Sequence, residues 1–91
     1  METPHEFEWD DEKASANEAK HGVPFIYATR VFLDDNRVDF DASRNADGES
    51  RRKTVGTIAG RLYCVVYTMR GRMCRIISAR RANGKESKAY G

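Results

Sequence analysis

The sequence contains few of the residues that bind metals, form disulfides or cross membranes. Two cysteines and two histidines occur in 91 residues. Two thiols without partner histidines do not make a zinc site, and so few cysteines are typical of a reducing compartment. No apolar run approaches the roughly 18 residues of a membrane-spanning helix, and the start, METPHEFEWDDE, is acidic where a signal peptide would be basic and then apolar. We therefore expect a cytoplasmic protein with free thiols, no membrane contact, no metal and no other cofactor.

Acidic residues are almost absent from the second half of the chain. Residues 51–91 contain one, Glu86, against eleven Lys and Arg, whereas residues 1–50 contain thirteen acids and five bases. The halves thus carry −8 and +10, which the formal net charge of +2 conceals. A basic half of this size suits a polyanion such as RNA. A solvated basic surface without a partner is the alternative that composition leaves open.

Most enzyme signatures are missing as well. The chain has no glycine-rich phosphate loop, no prominent Ser/His/Asp spacing and no run of carboxylates for two metal ions. RNA can be cleaved without a metal when a base takes the ribose 2′-OH proton and cations stabilise the charge added at the phosphate. One histidine and several arginines suffice for this reaction. Composition therefore leaves three functions open: a nuclease, a non-catalytic nucleic-acid-binding module, and a protein-interaction domain that uses the acidic helices.

The first half of the chain predicts a short strand and two helices. Its length suits one domain over residues 1–91, and residues 6–9 can form a short strand. Asp10 is placed to cap a first helix that ends at Gly22, with acids in its first turn and Lys20 and His21 in its last. After Pro24, apolar residues recur at helical spacing and predict a second helix that runs to Asp34.

The second half predicts a β-sheet. Residues 37–42 alternate like a half-buried strand, and three further β-rich runs lie at 52–59, 61–69 and 72–80. Short turns between these three runs predict an antiparallel meander that pairs with the strand at residues 37–42. The tail is interrupted at Asn83-Gly84 and predicts a short C-terminal helix. The predicted fold is α+β, with two N-terminal helices packed on an antiparallel β-sheet and a short C-terminal helix.

The last hairpin predicts which side chains share a face. If Arg70-Gly71 is a two-residue turn, Cys64 opposes Ile77 and Cys74 opposes Tyr67, so the thiols lie on opposite faces. The face expected to meet the helices carries Leu62, Cys64, Val66, Met73, Arg75, Ile77 and Ala79. The face expected to be open carries Tyr63, Val65, Tyr67, Cys74, Ile76, Ser78 and Arg80. Tyrosine and arginine suit base stacking and phosphate binding, although tyrosines are also ordinary strand formers.

Six stretches, in their order and spacing, resemble the BrnT family of toxins from bacterial type II toxin–antitoxin modules. They are FEWD at 7–10, K...N..KHG at 13–22, VFLD at 31–34, GESR at 48–51, RLYCVVYT at 61–68 and RIISARRA at 75–82. The resemblance implies a RelE-like ribonuclease fold and an endoribonuclease that inhibits translation by cleaving RNA. It also implies neutralisation by a BrnA-like ribbon-helix-helix antitoxin, with operator DNA bound only through the antitoxin complex.

The resemblance also implies site residues at the matching positions. KHG contributes Lys20 and His21, GESR contributes Glu49 and Arg51, and RIISARR contributes Arg75, Arg80 and Arg81; Tyr67 is added from its place on the expected open face. We predict that the catalytic residues are His21, Arg51, Arg75 and Arg80. We predict that the RNA-binding residues are Lys20, Glu49, Tyr67 and Arg81.

Four points bear against parts of this prediction. The expected register places Arg75 on the apolar face, which favours Arg80 as the phosphate ligand. His21 has a second explanation, since a histidine at a helix C-terminus gains roughly 0.3 to 1 kcal/mol from the helix dipole. Arg52 stands where the family has an apolar residue, and Asn83-Gly84 breaks a tail that continues in the family as a basic helix.

Overall fold

A computed structural model describes residues 3–43 and 50–91. In these ranges the elements are β1 (Glu6–Glu8), α1 (Asp11–His21), α2 (Phe25–Ala28), a 3₁₀ helix (Thr29–Leu33), β2 (Val38–Asp41), β3 (Arg52–Ile58), β4 (Arg61–Arg70), β5 (Met73–Arg81) and α3 (Gly84–Tyr90). The five strands form one sheet in the order β1-β5-β4-β3-β2.

The α+β class is as predicted. The sheet is mixed rather than antiparallel, because β1 pairs parallel with β5. No helix in the described ranges has the length and apolarity to span a membrane.

The ends of α1 are those that the sequence predicts. The Asp10 side chain accepts hydrogen bonds from the backbone N–H groups of Glu12 and Lys13, at 2.9 and 3.1 Å. Gly22 ends the helix in the left-handed conformation, with φ of 71°, which glycine adopts without strain. Both capping interactions involve residues that are close in sequence, so the sequence alone predicts where the helix begins and ends.

The second helix is shorter than predicted. The α-helical part covers Phe25–Ala28, and a 3₁₀ helix, Thr29–Leu33, replaces the rest of the expected run to Asp34. The Thr29 hydroxyl donates to the Ile26 carbonyl at 2.7 Å, and the Asp34 N–H donates to the Val31 carbonyl at 3.2 Å. Both bonds join a residue to the carbonyl three positions earlier, the spacing of a 3₁₀ helix, rather than four positions earlier as in an α-helix.

The C-terminal helix begins where the sequence suggests an interruption. Asn83 is the N-cap of α3, and its side chain accepts from the Glu86 N–H at 2.8 Å. The Glu86 carboxylate accepts in return from the Asn83 N–H at 3.0 Å, which completes a capping box. Asn83-Gly84 therefore starts this helix rather than breaking it. Arg52, the other departure from the family pattern, is the first residue of β3 and pairs with Tyr67.

The predicted register of the last hairpin is wrong. Arg70 pairs with Met73, so the turn is Gly71-Arg72, and Gly71 has φ of 60°. A bulge then shifts the pairing, because Val66 opposes Ser78 whereas Tyr67 opposes Ile76. As a result Cys64 opposes Arg80, and Cys74 opposes Met69.

The predicted assignment of the two sheet faces is reversed for β4 and for β5 as far as Ile76, whereas beyond the bulge Ala79 and Arg80 lie on the faces predicted for them. The helices α1 and α2 and the 3₁₀ helix cover the face that carries Tyr63, Val65 and Tyr67, which we call the helix face; the buried core lies there. Tyr67 packs edge-on against Phe32, with ring centroids 5.0 Å apart. The opposite face carries Lys53, Cys64, Val66, Arg75 and Arg80, and we call it the α3 face because α3 packs on part of it. Tyrosine rings bury more apolar area than the aliphatic residues of the α3 face, so aromatic size decides which face forms the core.

Both cysteines are free, as predicted, and both are buried, although Cys74 was expected on the open face. Cys74 lies in the core of the helix face, whereas Cys64 lies on the α3 face below Glu86, so the thiols are on opposite faces. Burial raises the pKa of Cys74 to about 12. Burial and then the nearby Glu86 carboxylate raise the pKa of Cys64 to about 11.

These thiols should be unreactive in the native protein. At pH about 8 a thiol-specific reagent should react with neither cysteine on the timescale of a free thiol, because the thiolate is the reactive form. After unfolding without reductant, the same reagent should count two thiols. A count of zero would show a disulfide.

Candidate active site at the end of β5

The path of α1 brings His21 to the end of β5. Glu8 ends β1 and pairs with Arg75, near the start of β5. α1 follows three residues later, and by Asn17 it has reached Ala79. It therefore runs along β5 in the strand's own direction. His21 is one turn beyond Asn17 on the same side of the helix, while Arg80 and Arg81 directly follow Ala79. We call the group formed by Lys20, His21, Arg80 and Arg81 the β5 corner.

The buried side chain of Asn17 fixes this arrangement. Its amide donates to the Ala79 carbonyl at 2.8 Å and to the Val23 carbonyl at 3.1 Å. Its carbonyl accepts from the Ala79 N–H at 3.1 Å. Because β1 pairs with β5 only as far as Arg75, the amide of Asn17 takes the place of a neighbouring strand at Ala79. The last turn of α1 is thereby tied to the sheet.

His21 and Lys20 are accessible at this corner. His21 is half-buried and Lys20 is exposed. Within residues 3–43 and 50–91, no hydrogen bond or ion pair engages the imidazole of His21 or the ammonium of Lys20. Both lie in the last turn of α1, where a cation also complements the helix dipole. The position thus serves helix stability and leaves the ring open to solvent.

Arg75 and Arg80 lie on the same face of the sheet, contrary to the register that separated them. The bulge skips Ile77, so the alternation of side chains changes phase between the two arginines. Arg51 joins them on the α3 face, since Arg52 pairs with Tyr67 and Arg51 consequently lies across from Thr68. Thr68 pairs in turn with Arg75. The Cα atoms of Arg51 and Arg75 are about 10 Å apart, two strand spacings.

The predicted catalytic residues form two groups rather than one. His21 and Arg80 lie at the β5 corner, whereas Arg51 and Arg75 lie toward the start of β5. Arg80 lies five positions after Arg75 in β5, about 16 Å along an extended strand. Arg75 is also paired, through a 3.2 Å contact with Glu8. His21 and Arg75 therefore lie toward opposite ends of β5.

Arg80 is held by an acid from α3. Its two terminal nitrogens donate to the two carboxylate oxygens of Glu86, both at 2.8 Å. Lys53 adds a third contact to this carboxylate at 3.2 Å. The hydrogen bond from Arg80 is the main reason that the pKa of Glu86 falls from 4.5 to about 2, and the same bond raises the pKa of Arg80. The single acid of the second half therefore sits among the cations of the α3 face.

The depressed pKa of Glu86 makes stability depend on pH. Its contribution is fully present above pH 4.5, the value in the unfolded chain, and is lost as the pH falls toward 2. We expect the free energy of unfolding to drop on the order of 3 kcal/mol more in the wild type than in Glu86→Gln over this range. Urea unfolding at several pH values measures the difference. Parallel curves for the two proteins would contradict the assignment.

Tyr67 does not lie on an open face. Its side chain is in the core, and its hydroxyl donates to the Asp39 carboxylate at 2.5 Å. Burial, followed by this bond to Asp39, raises the pKa of Tyr67 to about 12. Arg37 also pairs with Asp39. Tyr67 was expected to stack on RNA because its face of the sheet was predicted to be open. Helices cover that face.

Arg81 belongs to a stack of rings and guanidinium groups that the sequence analysis missed. Arg81 lies over the Tyr63 ring at 5.6 Å, and Tyr63 meets Tyr27 edge-on at 5.9 Å. Arg30 lies over Tyr27 at 5.3 Å. The i, i+3 spacing of Tyr27 and Arg30 is a usable sequence signal, but the contact between Tyr27 and Tyr63 is long-range. Glu49, the remaining predicted RNA-binding residue, lies outside the described ranges.

The comparisons with known proteins agree with the resemblance seen in the sequence. A family model described as "Ribonuclease toxin, BrnT, of type II toxin-antitoxin system" matches residues 9–86. No curated protein matches the chain. The family match covers most of the chain and includes the corner residues Lys20, His21, Arg80 and Arg81. The chain therefore belongs to the BrnT family of ribonuclease toxins of type II toxin–antitoxin systems.

Proposed function

We propose that the protein is a metal-independent endoribonuclease that uses the β5 corner. The observation that carries the proposal is the contact of Asn17 with Ala79, in a chain of the BrnT family. This contact brings the helix turn that holds His21 to the end of β5, where Arg80 and Arg81 follow Ala79. A histidine supplies a group that can move a proton, and arginines supply the cations that a phosphate needs.

In the proposed reaction His21 is the proton-transfer group. A base takes the proton of a ribose 2′-OH, O2′ bonds to the adjacent phosphorus, and the bond from phosphorus to O5′ breaks as O5′ gains a proton. Negative charge builds on the phosphate oxygens, where Arg80 stabilises it. Arg81, which lies over Tyr63 on the opposite face of the sheet, is assigned to RNA binding. Arg51 and Arg75 are assigned to flanking phosphates, because they lie toward the other end of β5 from Arg80. Lys20 and Glu49 are assigned to RNA binding.

The wider role follows the family. We propose that RNA cleavage inhibits translation in the cytoplasm and that the fold is RelE-like. A BrnA-like ribbon-helix-helix antitoxin neutralises the toxin, and operator DNA is bound only through that complex. Membership of a type II toxin–antitoxin family supports an antitoxin partner.

Incubating the pure protein with RNA in EDTA tests the proposal. We expect cleavage products that carry a 2′,3′-cyclic phosphate, because this route uses the RNA's own hydroxyl and no metal. A single-stranded DNA of the same sequence is the matched control and should stay intact. RNA that remains uncut in EDTA, with or without ribosomes, would contradict the reaction.

A non-catalytic RNA-binding module is the second candidate. It is favoured by the engagement of Arg80 with Glu86, which occupies a cation that catalysis would use. This candidate predicts binding without cleavage. In both cases affinity should fall with salt, with a slope of about −0.7 per phosphate contact on single strands.

A further inference from the structure

The helix α3 is held to the sheet by polar contacts. Of its residues, all of which the structure describes, Glu86 alone is buried, with 4 % of its surface exposed. Its carboxylate meets Arg80 and Lys53, and near the other end Tyr90 donates to Asp34 at 2.6 Å. In contrast, α1 and α2 pack on the apolar core of the helix face. Seven residues form no stable helix alone in water, so α3 depends on its contacts with the sheet, among which Glu86 is the buried anchor.

The acid that anchors α3 occupies an anion-binding position. Arg80 presents the parallel pair of N–H donors that fits a carboxylate or a phosphate equally well. Lys53 adds a second positive charge, and both cations keep about a third of their side-chain surface exposed. An anion arriving from solvent can therefore reach both cations.

A small cavity leads to this position. It has a volume of about 200 Å³ and is lined by Lys53, Lys85 and Glu86 together with Phe40, Asn83 and Ala89. Two ammonium groups at its wall favour an anionic occupant. A phosphate entering here would lie beside Glu86 and compete with it for Lys53.

We propose that Glu86 stands in for an RNA phosphate, and that α3 is a latch that a nucleic-acid phosphate displaces from Arg80 and Lys53. The inference rests on the proposed function, since it concerns how the cations of that site become available. In the closed state Arg80 is neutralised by Glu86. In the open state Arg80 and Lys53 bind phosphate, and α3 loses its anchor.

Hydrogen exchange of the α3 amides tests the latch directly. The probe is a short single-stranded DNA, which lacks the 2′-OH and is not cut by the proposed reaction. At saturating DNA and low salt, exchange at Glu86, Ser87 and Gly91 should become at least about tenfold faster, as their hydrogen bonds open, while exchange in β4 stays unchanged. Slower or unchanged exchange in α3, or no DNA binding, would overturn the latch.

Variants separate displacement from a simple charge effect. Glu86→Gln keeps the capping box, in which glutamine also serves, but loses the ion pairs. It should bind the DNA about tenfold more tightly, with an unchanged salt slope, because Arg80 and Lys53 contact phosphate in the bound state of both proteins. Glu18→Gln, an exposed site on α1, is the charge-matched control and should change little. Equal gains in the two variants would overturn the proposal.

Two more variants complete the design. Tyr90→Phe removes the hydrogen bond to Asp34 at constant charge and should also tighten DNA binding. Adding Arg80→Gln to Glu86→Gln should abolish the gain. The outcome is separable from that of the nuclease: RNA cleavage with a fixed α3 refutes the latch alone, whereas a mobile α3 without RNA cleavage refutes the nuclease alone.

Discussion

Replacing His21 with glutamine should lower RNA cleavage by about 10²- to 10⁴-fold. Glutamine can still hydrogen bond, but it cannot take up and release a proton in the reaction. The fold should survive, because the ring makes no hydrogen bond or ion pair within the described ranges and its interaction with the helix dipole is worth roughly 0.3 to 1 kcal/mol. Cleavage of a labelled RNA under single-turnover conditions measures the loss.

Lys20→Gln is the matched control for the histidine variant. It removes a charge from the neighbouring residue of the same helix turn and should weaken RNA binding in a salt-dependent manner without a comparable loss at saturating RNA. Full cleavage by a folded His21→Gln protein would refute the chemical role of the histidine. The reaction would then have to be assigned to Arg51, Arg75 and Arg80.

Replacing Asn17 with alanine should lower the free energy of unfolding by about 2 to 4 kcal/mol. The change leaves three backbone groups without their partner: the N–H and C=O of Ala79 and the C=O of Val23. A buried polar group left unpaired costs about 1 to 3 kcal/mol. The cost is smaller where water enters and hydrogen bonds to the group. Urea unfolding measures the effect. Cleavage should also fall, because the last turn of α1 loses its attachment beside Arg80.

Glu18→Ala is the control for this prediction. Glu18 is exposed one residue further along α1, and its removal should change the free energy of unfolding by no more than about 0.5 kcal/mol. If Asn17→Ala costs no more than Glu18→Ala, the amide does not hold α1 to β5. The position of His21 would then need another cause.

The parts of the fold that were predictable depend on signals between near neighbours. Asp10 and Gly22 mark the ends of α1 because capping involves residues a few positions apart. The turn was predicted one residue too early, although a glycine in the first of two central positions is typical of a type II′ hairpin and favours Gly71-Arg72 over Arg70-Gly71. The bulge at Ile77 has no comparable signal, since it arises from packing between strands.

The candidate site was only partly predictable, for the same reason. The family resemblance pointed to His21, Arg80 and Arg81; the last turn of α1 reaches the end of β5, where the two arginines lie on opposite faces of the sheet. It could not show that Glu86 engages Arg80, because that contact needs α3 folded back onto the sheet. A lone Asn17 in a polar helix looks solvent-exposed in the sequence. Its burial follows from the short β1, which leaves part of β5 uncovered.

The uncovered part of β5 also bears on how copies of the chain behave toward one another. Beyond Arg75, β5 has no strand on its outer side within the described ranges, and an open strand edge is a template for pairing with another chain. At Ala79 both peptide groups are already bound by Asn17. A strand from a second molecule would find its hydrogen-bonding ladder interrupted there, so a single buried amide protects the sheet from growing across molecules.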